Sequence, residues 1–275
     1  QDNGLFSITN LGAILFAKHI SDFPDVSRKA IRVVQYSGNN RLNMIRENVI
    51  NKGYAAGFDF LMQFISALLP TKEVIEFAKR KTIPAYPLLA IREAVANALI
   101  HQDFSITGTG PVIEIFENRI EITNPGIPLI DIKRIIDNPP KSRNEKLASL
   151  MRRLRMCEEL GTGWDKIAIS REKMFLPSPK ISLYDENTRV ILYSAIPFNK
   201  LSYEDKLWAC YLHACLKQVE GEQINNSSLR ARFGLNESSS ANISRLIKDA
   251  VKYELIKPVD PNTAPRYMRY IPYWA

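Results

Sequence analysis

The chain has 275 residues, enough for one large domain or two of ordinary size. Hydrophobic residues make up 45% and charged residues 24%, the balance of a globular chain that can bury a core rather than of a disordered one. A net charge of +8 points toward an anionic partner, nucleic acid or phosphate, and the absence of any apolar run of roughly 18–20 residues argues against a membrane span.

The longest apolar stretch, "AAGFDFLMQFISALLP", is interrupted by Asp59, Gln63 and Ser66 and reads as a buried amphipathic helix. No signal-peptide pattern opens the chain, and a start at Gln1 fits a piece of something longer. Cys157, Cys210 and Cys215 form no CxxC pair, so free thiols in a reducing cytoplasm are expected. Three scattered histidines make a structural zinc site a poor fit.

In chain order, "NLGAILFAKHI" is a helical pattern after a cap at Thr9 or Asn10, and "KAIRVVQYSG" is strand-like and stopped by Gly38. Residues 53–69 are helical up to Pro70, while "EVIEFAKR" fits strand or helix. A helix spans about Pro87 to His101. "VIEIFE" and "RIEITN" alternate with period two around Asn118 and predict a hairpin, broken by "NPGIP". A Pro- and Lys-rich connection leads to a basic helix at 145–156; the run 141–156 holds six basic residues against one acid. "LGTGWDKI" is a Gly-rich turn opening another helix, and "KISLYDENTRVILYS" predicts a second hairpin. After a polar junction at 197–206 come a helix at 203–218, a short helix capped by Asn226 or Ser227, a further helix, and two short strands around a Pro-rich tip.

The segment "REAVANALIHQDF" carries the most chemistry. Glu93, Asn97 and His101 recur every four residues and share one helix face, with small alanines beside them and Asp103 just beyond. A solvated face would carry Lys, Glu and Gln; an acid–amide–imidazole row suits the wall of a pocket. A plainer role is open as well, with Glu93 pairing with Arg92, Arg119 or a backbone cap and Asn97 satisfying a buried turn.

Glu93…Asn97, then "NPG" after a strand, then "GTG" before a helix resemble the N box and glycine boxes of the GHKL fold, shared by gyrase-type ATPases, histidine kinases and MutL. The chain more closely resembles the divergent GHKL-like domain of bacterial transcriptional regulators that carry a Schlafen-type AlbA domain upstream. The likeness is strong over about 85–170 and loose over 9–80. It implies ATP and Mg²⁺ as ligands, with Asn97 as the metal ligand and Glu93 as the base that activates water. Asn124 and Gly126 would form the adenine side, and Gly161, Thr162 and Gly163 the phosphate loop. Lys141, Ser142 and Arg143 stand where a lid would be. Two departures are visible: Asn124 replaces the usual Asp of the adenine box, and Pro128 replaces its second glycine.

Helix, helix, turn, helix and a two-stranded wing make up the winged-helix plan, in which one helix enters the major groove. The candidate recognition helix, about 237–252, offers Ser239, Asn242, Arg245 and Lys248, with Arg266 and Arg269 in the wing. Arg230 and Arg232 in the preceding helix could neutralise phosphates.

The expected fold is α+β: a GHKL-like α/β sandwich, helices over a mixed sheet, at 1–198, then a winged helix-turn-helix domain at 199–275. Within the first, 1–80 is a lead-in and 81–198 the core that bears the motifs. The expected function is a cytoplasmic DNA-binding transcriptional regulator with an adenine-nucleotide sensor domain, assembled as a homo-oligomer, a dimer, and with at most a weak ATPase. The alternatives are an active Mg-dependent ATPase working with a helicase or repair system, and a nucleotide-free dimerisation scaffold.

Overall fold

Thr9 caps the first helix, α1 (Asn10–Phe16), its hydroxyl accepting from the Gly12 amide at 3.1 Å. This computed structural model describes residues 6–76, 79–139, 141–157 and 162–275. After α1, strand β1 (Ile31–Tyr36) pairs antiparallel with β2 (Met44–Ile50). β2 escapes a sequence reading because "MIRENVI" has no period-two alternation; it is a largely exposed edge strand, with no single face to bury. Helix α2 (Tyr54–Leu68) stops ahead of Pro70. β3 (Thr71–Glu76) and β4 (Lys79–Pro84) form a separate antiparallel pair, so "EVIEFAKR" is strand on either side of 77–78, which lie outside the described residues.

Helix α3 (Leu88–Ile100) follows Pro87 and is apolar almost all round, from Ala90 and Ile91 to Leu99 and Ile100. A helix of that kind belongs in the interior. The predicted hairpin forms as β5 (Val112–Ile115) and β6 (Arg119–Pro125). Next come α4 (Glu145–Arg153) and α5 (Gly163–Lys173), then the second hairpin, β7 (Lys180–Tyr184) and β8 (Asn187–Tyr193). The basic helix is shorter than its sequence suggests, because Arg155 turns into the left-handed region at φ 57°.

The six strands form one mixed sheet in the order β2-β1-β5-β6-β8-β7. Only β1 and β5 run parallel, and α2, the small hairpin and α3 lie in the crossover between them. Alternate residues of the central strands (Ile31, Val33, Ile113, Ile115, Ile120, Ile122, Val190, Leu192) join one core with α1 to α5. The opposite face carries Val34, Tyr36 and Phe116 and an ion-pair cluster of Arg41, Arg119 and Arg189 around Glu114 and Glu121. This is an α+β layer of helices over a mixed sheet.

The last segment holds α6 (Tyr203–Val219), α7 (Asn226–Arg232), α8 (Ser240–Lys252) and the antiparallel pair β9 (Ile256–Pro258) and β10 (Tyr270–Pro272). Ser202 caps α6. The cap of α7 is Asn225, one residue earlier than expected: its side chain accepts from the Ser228 amide at 2.8 Å, and the Ser228 hydroxyl accepts in return from the Asn225 amide at 3.0 Å. Ile224, Leu229, Ile243, Leu246, Ile247 and Ile256 form a second core. No described helix is long and apolar enough to cross a membrane.

Candidate functional site

The row on α3 lines a cleft. Glu93, Asn97 and His101 face a hollow of about 550 Å³ whose other walls include Asn124 from β6, Gly163 from α5, and Thr188 and Val190 from β8. That volume lies within the usual range of ligand sites, roughly 300–1,000 Å³. Its apolar lining comes from Ile100, Ile127, Leu129, Ile135, Trp164 and Ile181.

Glu93 is only 3% exposed, held in a helix buried on nearly every side. Arg92 donates to the Arg155 carbonyl at 2.7 Å and lies over the Phe58 ring, while Arg119 pairs with Glu121 at 2.6 Å. The side chain of Asn97 makes no hydrogen bond to another described residue, although its carbonyl accepts from the His101 amide.

Gly163 is the first residue of α5 and sits directly on this row. A Cβ there would lie 3.1 Å from Glu93 Oε2 and within 3.8 Å of both Asn97 side-chain heteroatoms. Glycine therefore lets the start of the helix, with its unpaired amides and positive dipole end, approach the acid–amide pair. Thr162 is the N-cap residue but forms no side-chain cap bond. Gly161 lies outside the described residues.

At the other wall, Asn124 is 5% exposed and its Nδ2 donates to the Pro125 carbonyl at 3.1 Å. Its Oδ1 accepts from no described residue, which leaves an acceptor on the cleft wall. Gly126, which is not among the lining residues, turns the chain at φ 104°, where a Cβ would meet Arg143 Nη1 at 2.8 Å and Asp103 at 3.0 Å. The turn is pinned by Asp103 N–H to Pro125 O at 2.8 Å and by Thr188 Oγ1 to Gly126 O at 2.6 Å.

The segment 141–145 closes the cleft beside the end of α3. Asn144 Nδ2 donates to the carbonyls of Ile100 and Gln102, both at 2.7 Å, and so satisfies the exit of α3. Arg143 donates to the His101 and Ile127 carbonyls and faces Asp103 at 3.4 Å. Burial and the nearby Arg143 hold the His101 pKa below the ordinary imidazole value. The bonds from the Ser105 hydroxyl and amide hold Asp103 below the usual carboxylate range.

Several lining residues escaped the motif reading: Asn138, Ser149, Arg152 and Trp164. Glu145, Ser149 and Arg152 follow at steps of four and three, and that spacing on a basic helix was the available signal. Among the described residues no group of three or more His, Cys, Asp or Glu could hold a metal.

In the C-terminal segment Asn242, Arg245 and Lys248 are exposed along α8, and Ser239 is partly exposed just ahead of it. Arg266 and Arg269 are exposed between β9 and β10. Arg232 departs from its expected role as a phosphate contact. It is 4% exposed, faces Glu172 of α5 at 2.8 Å, and donates to the Leu176 carbonyl at 3.0 Å. Packing between α7 and α5 takes it away from solvent.

Comparison with known proteins adds two findings. A family model described as "Putative ATP-dependent DNA helicase recG C-terminal" matches residues 108–192, a span that includes Asn124 and Gly163 but stops short of Glu93 and Asn97. No curated protein matches the chain. Among solved structures, the DIP2311 protein from Corynebacterium diphtheriae is similar at a TM-score of 0.60 and 18% identity, over 95% of this chain and 53% of that one. The chain thus spans about half the length of that protein, and the likeness is one of fold. Together with the layered fold, the family match supports a divergent HATPase-like domain in this part of the chain.

Proposed function

We propose that the cleft binds an adenine nucleotide with Mg²⁺ and that the C-terminal segment is a winged helix-turn-helix that binds DNA, making the protein a nucleotide-responsive transcriptional regulator. The domain division at 198/199 belongs to this reading. One observation carries the nucleotide half: Gly163 packs against Glu93 and Asn97 while Asn124 presents to the same cleft an Oδ1 that accepts from no described residue. The lone acceptor suits the exocyclic amine of adenine, and the start of α5 suits phosphate oxygens. Asn97 is the residue that would hold the metal, consistent with a Mg²⁺ that takes most of its ligands from phosphates and water. The metal would neutralise charge on the phosphates. Glu93, one turn away, is the group that would take a proton from an attacking water, so any ATPase activity runs through it.

The DNA half is supported by the exposed Asn242, Arg245 and Lys248 on α8 and by Arg266 and Arg269 on the ribbon. Their side chains form no hydrogen bond or ion pair with described residues. A dimer would present two such helices to paired half-sites.

Mg-ATP is expected to raise the melting temperature of the wild type and to leave Asn97→Ala unchanged; equal behaviour of the two ends the nucleotide reading. DNA binding should weaken with salt, and Arg245→Ala should lower the salt slope by about one. Binding that is absent or indifferent to salt ends the DNA half.

A further inference from the structure

We propose that Arg152 on α4 reads the terminal phosphate of the nucleotide and makes the cleft prefer ATP over ADP; this rests on the nucleotide reading above. Three hydrogen bonds set the direction of α4. At its start Asn144 binds the carbonyls at the end of α3, Ile100 and Gln102. Just beyond its end the Arg155 carbonyl accepts from Arg92, near the beginning of α3. The two helices therefore run in opposite directions.

With a rise of about 1.5 Å per residue in both helices, Arg152 lies level with the turn of α3 that carries Glu93 and Asn97, and Ser149 lies one turn nearer to His101. That is also where Gly163 brings the start of α5 against the acid–amide pair. Glu145, Ala148, Ser149 and Arg152 line the cleft along one face of α4, while Leu147 and Met151 anchor the other face in the core, at 2% and 0% exposed.

Arg152 is half-buried and has no ion pair or hydrogen bond to another described residue. Of the other cations around it, Arg143 is committed to carbonyls and Asp103 and Arg92 to a carbonyl and a ring, while the exposed Lys141 lines the cleft as well. Glu93 and Glu145 share the lining, but a guanidinium paired with no carboxylate among the described residues matches an oxyanion that arrives with the ligand, and its planar fork suits two phosphate oxygens at once. The anchored face of α4 fixes its position, so phosphate length decides whether the contact forms. ATP reaches it; ADP and AMP fall short.

The test is competition binding of ATP, ADP and AMP, each with Mg²⁺, to the full chain and to Arg152→Ala, Arg152→Gln and Arg153→Ala, with melting curves alongside. Wild type should prefer ATP by tenfold or more. Both Arg152 variants should lose that preference, with ADP affinity changed less than threefold and melting unchanged, and Arg153→Ala, exposed and off the cleft, should match wild type. A wild type that binds all three equally, or Arg152 variants that weaken all three alike, overturns the inference while the nucleotide reading stands. A wild type that binds none overturns the nucleotide reading itself.

Discussion

Asp165 illustrates how a single side chain can work against the stability of its own domain. It lies in the first turn of α5, where the helix dipole favours a negative charge. Half-burial outweighs that help and pushes its pKa up to about 6. A folded-state value above the unfolded one means that the ionised carboxylate penalises folding above pH 6, and the penalty fades as pH falls through 6. Asp165→Asn should therefore stabilise the protein at pH 7 by on the order of 1 kcal/mol after solvent screening, with the advantage shrinking toward pH 5 in urea melts. His101 gives the complementary case. Its pKa is lowered first by burial and then by Arg143, so Arg143→Ala should raise it, which an NMR titration of the imidazole would show. A His101 pKa that stays put would assign the whole effect to burial.

At the scale of elements, the site depends on helices bracing one another. The polar row on α3 was legible because helical geometry fixes a four-residue repeat on one face. What holds the row in place was not, since Asn144 lies in a loop 44 residues beyond the Ile100 carbonyl that it satisfies. Asn144→Ala leaves two carbonyls at the end of α3 without that donor and should cost about 1–3 kcal/mol in denaturant melts. An unchanged midpoint would mean that water replaces the amide. The same distinction separates Gly163 from Gly126. Both stand in glycine turns of the sequence, yet one opens a helix against the cleft and the other turns the chain against Arg143 and Asp103. Turn chemistry marks both positions as glycine and says nothing of which face the turn will meet.

Across the whole molecule, α5 is the element shared by the cleft and the C-terminal helices. Its start meets Glu93, and near its end the half-buried Glu172 sits between His213 of α6 at 2.9 Å and Arg232 of α7 at 2.8 Å. Trp164 lines the cleft and also packs against the cluster that contains Tyr211, Leu212 and Leu216 of α6. Burial holds the Arg232 pKa below the ordinary guanidinium value, and Glu172 opposes that shift. Glu172→Ala would strand a buried cation and should destabilise the chain by about 3–5 kcal/mol. A double variant that also replaces Arg232 with Met should recover much of the loss in thermal melts. Failure to recover would assign the cost to packing rather than charge.

Sequence alone determined the helices, the two hairpins of the sheet and the order of the polar motifs, because these obey rules that act within about four residues, such as periodicity, capping and the backbone limits of proline. It left β2 unseen and Arg232 misplaced, since one needed an edge position to explain its pattern and the other a partner 60 residues away. Tertiary structure decided that Glu93, Asn124 and Gly163 share one cleft, that Gly126 turns against Arg143 and Asp103, and that Arg152 lines that cleft. The physical reason is that these neighbours are set by strand order and helix packing, where contacts between distant segments fix which side of each element is covered.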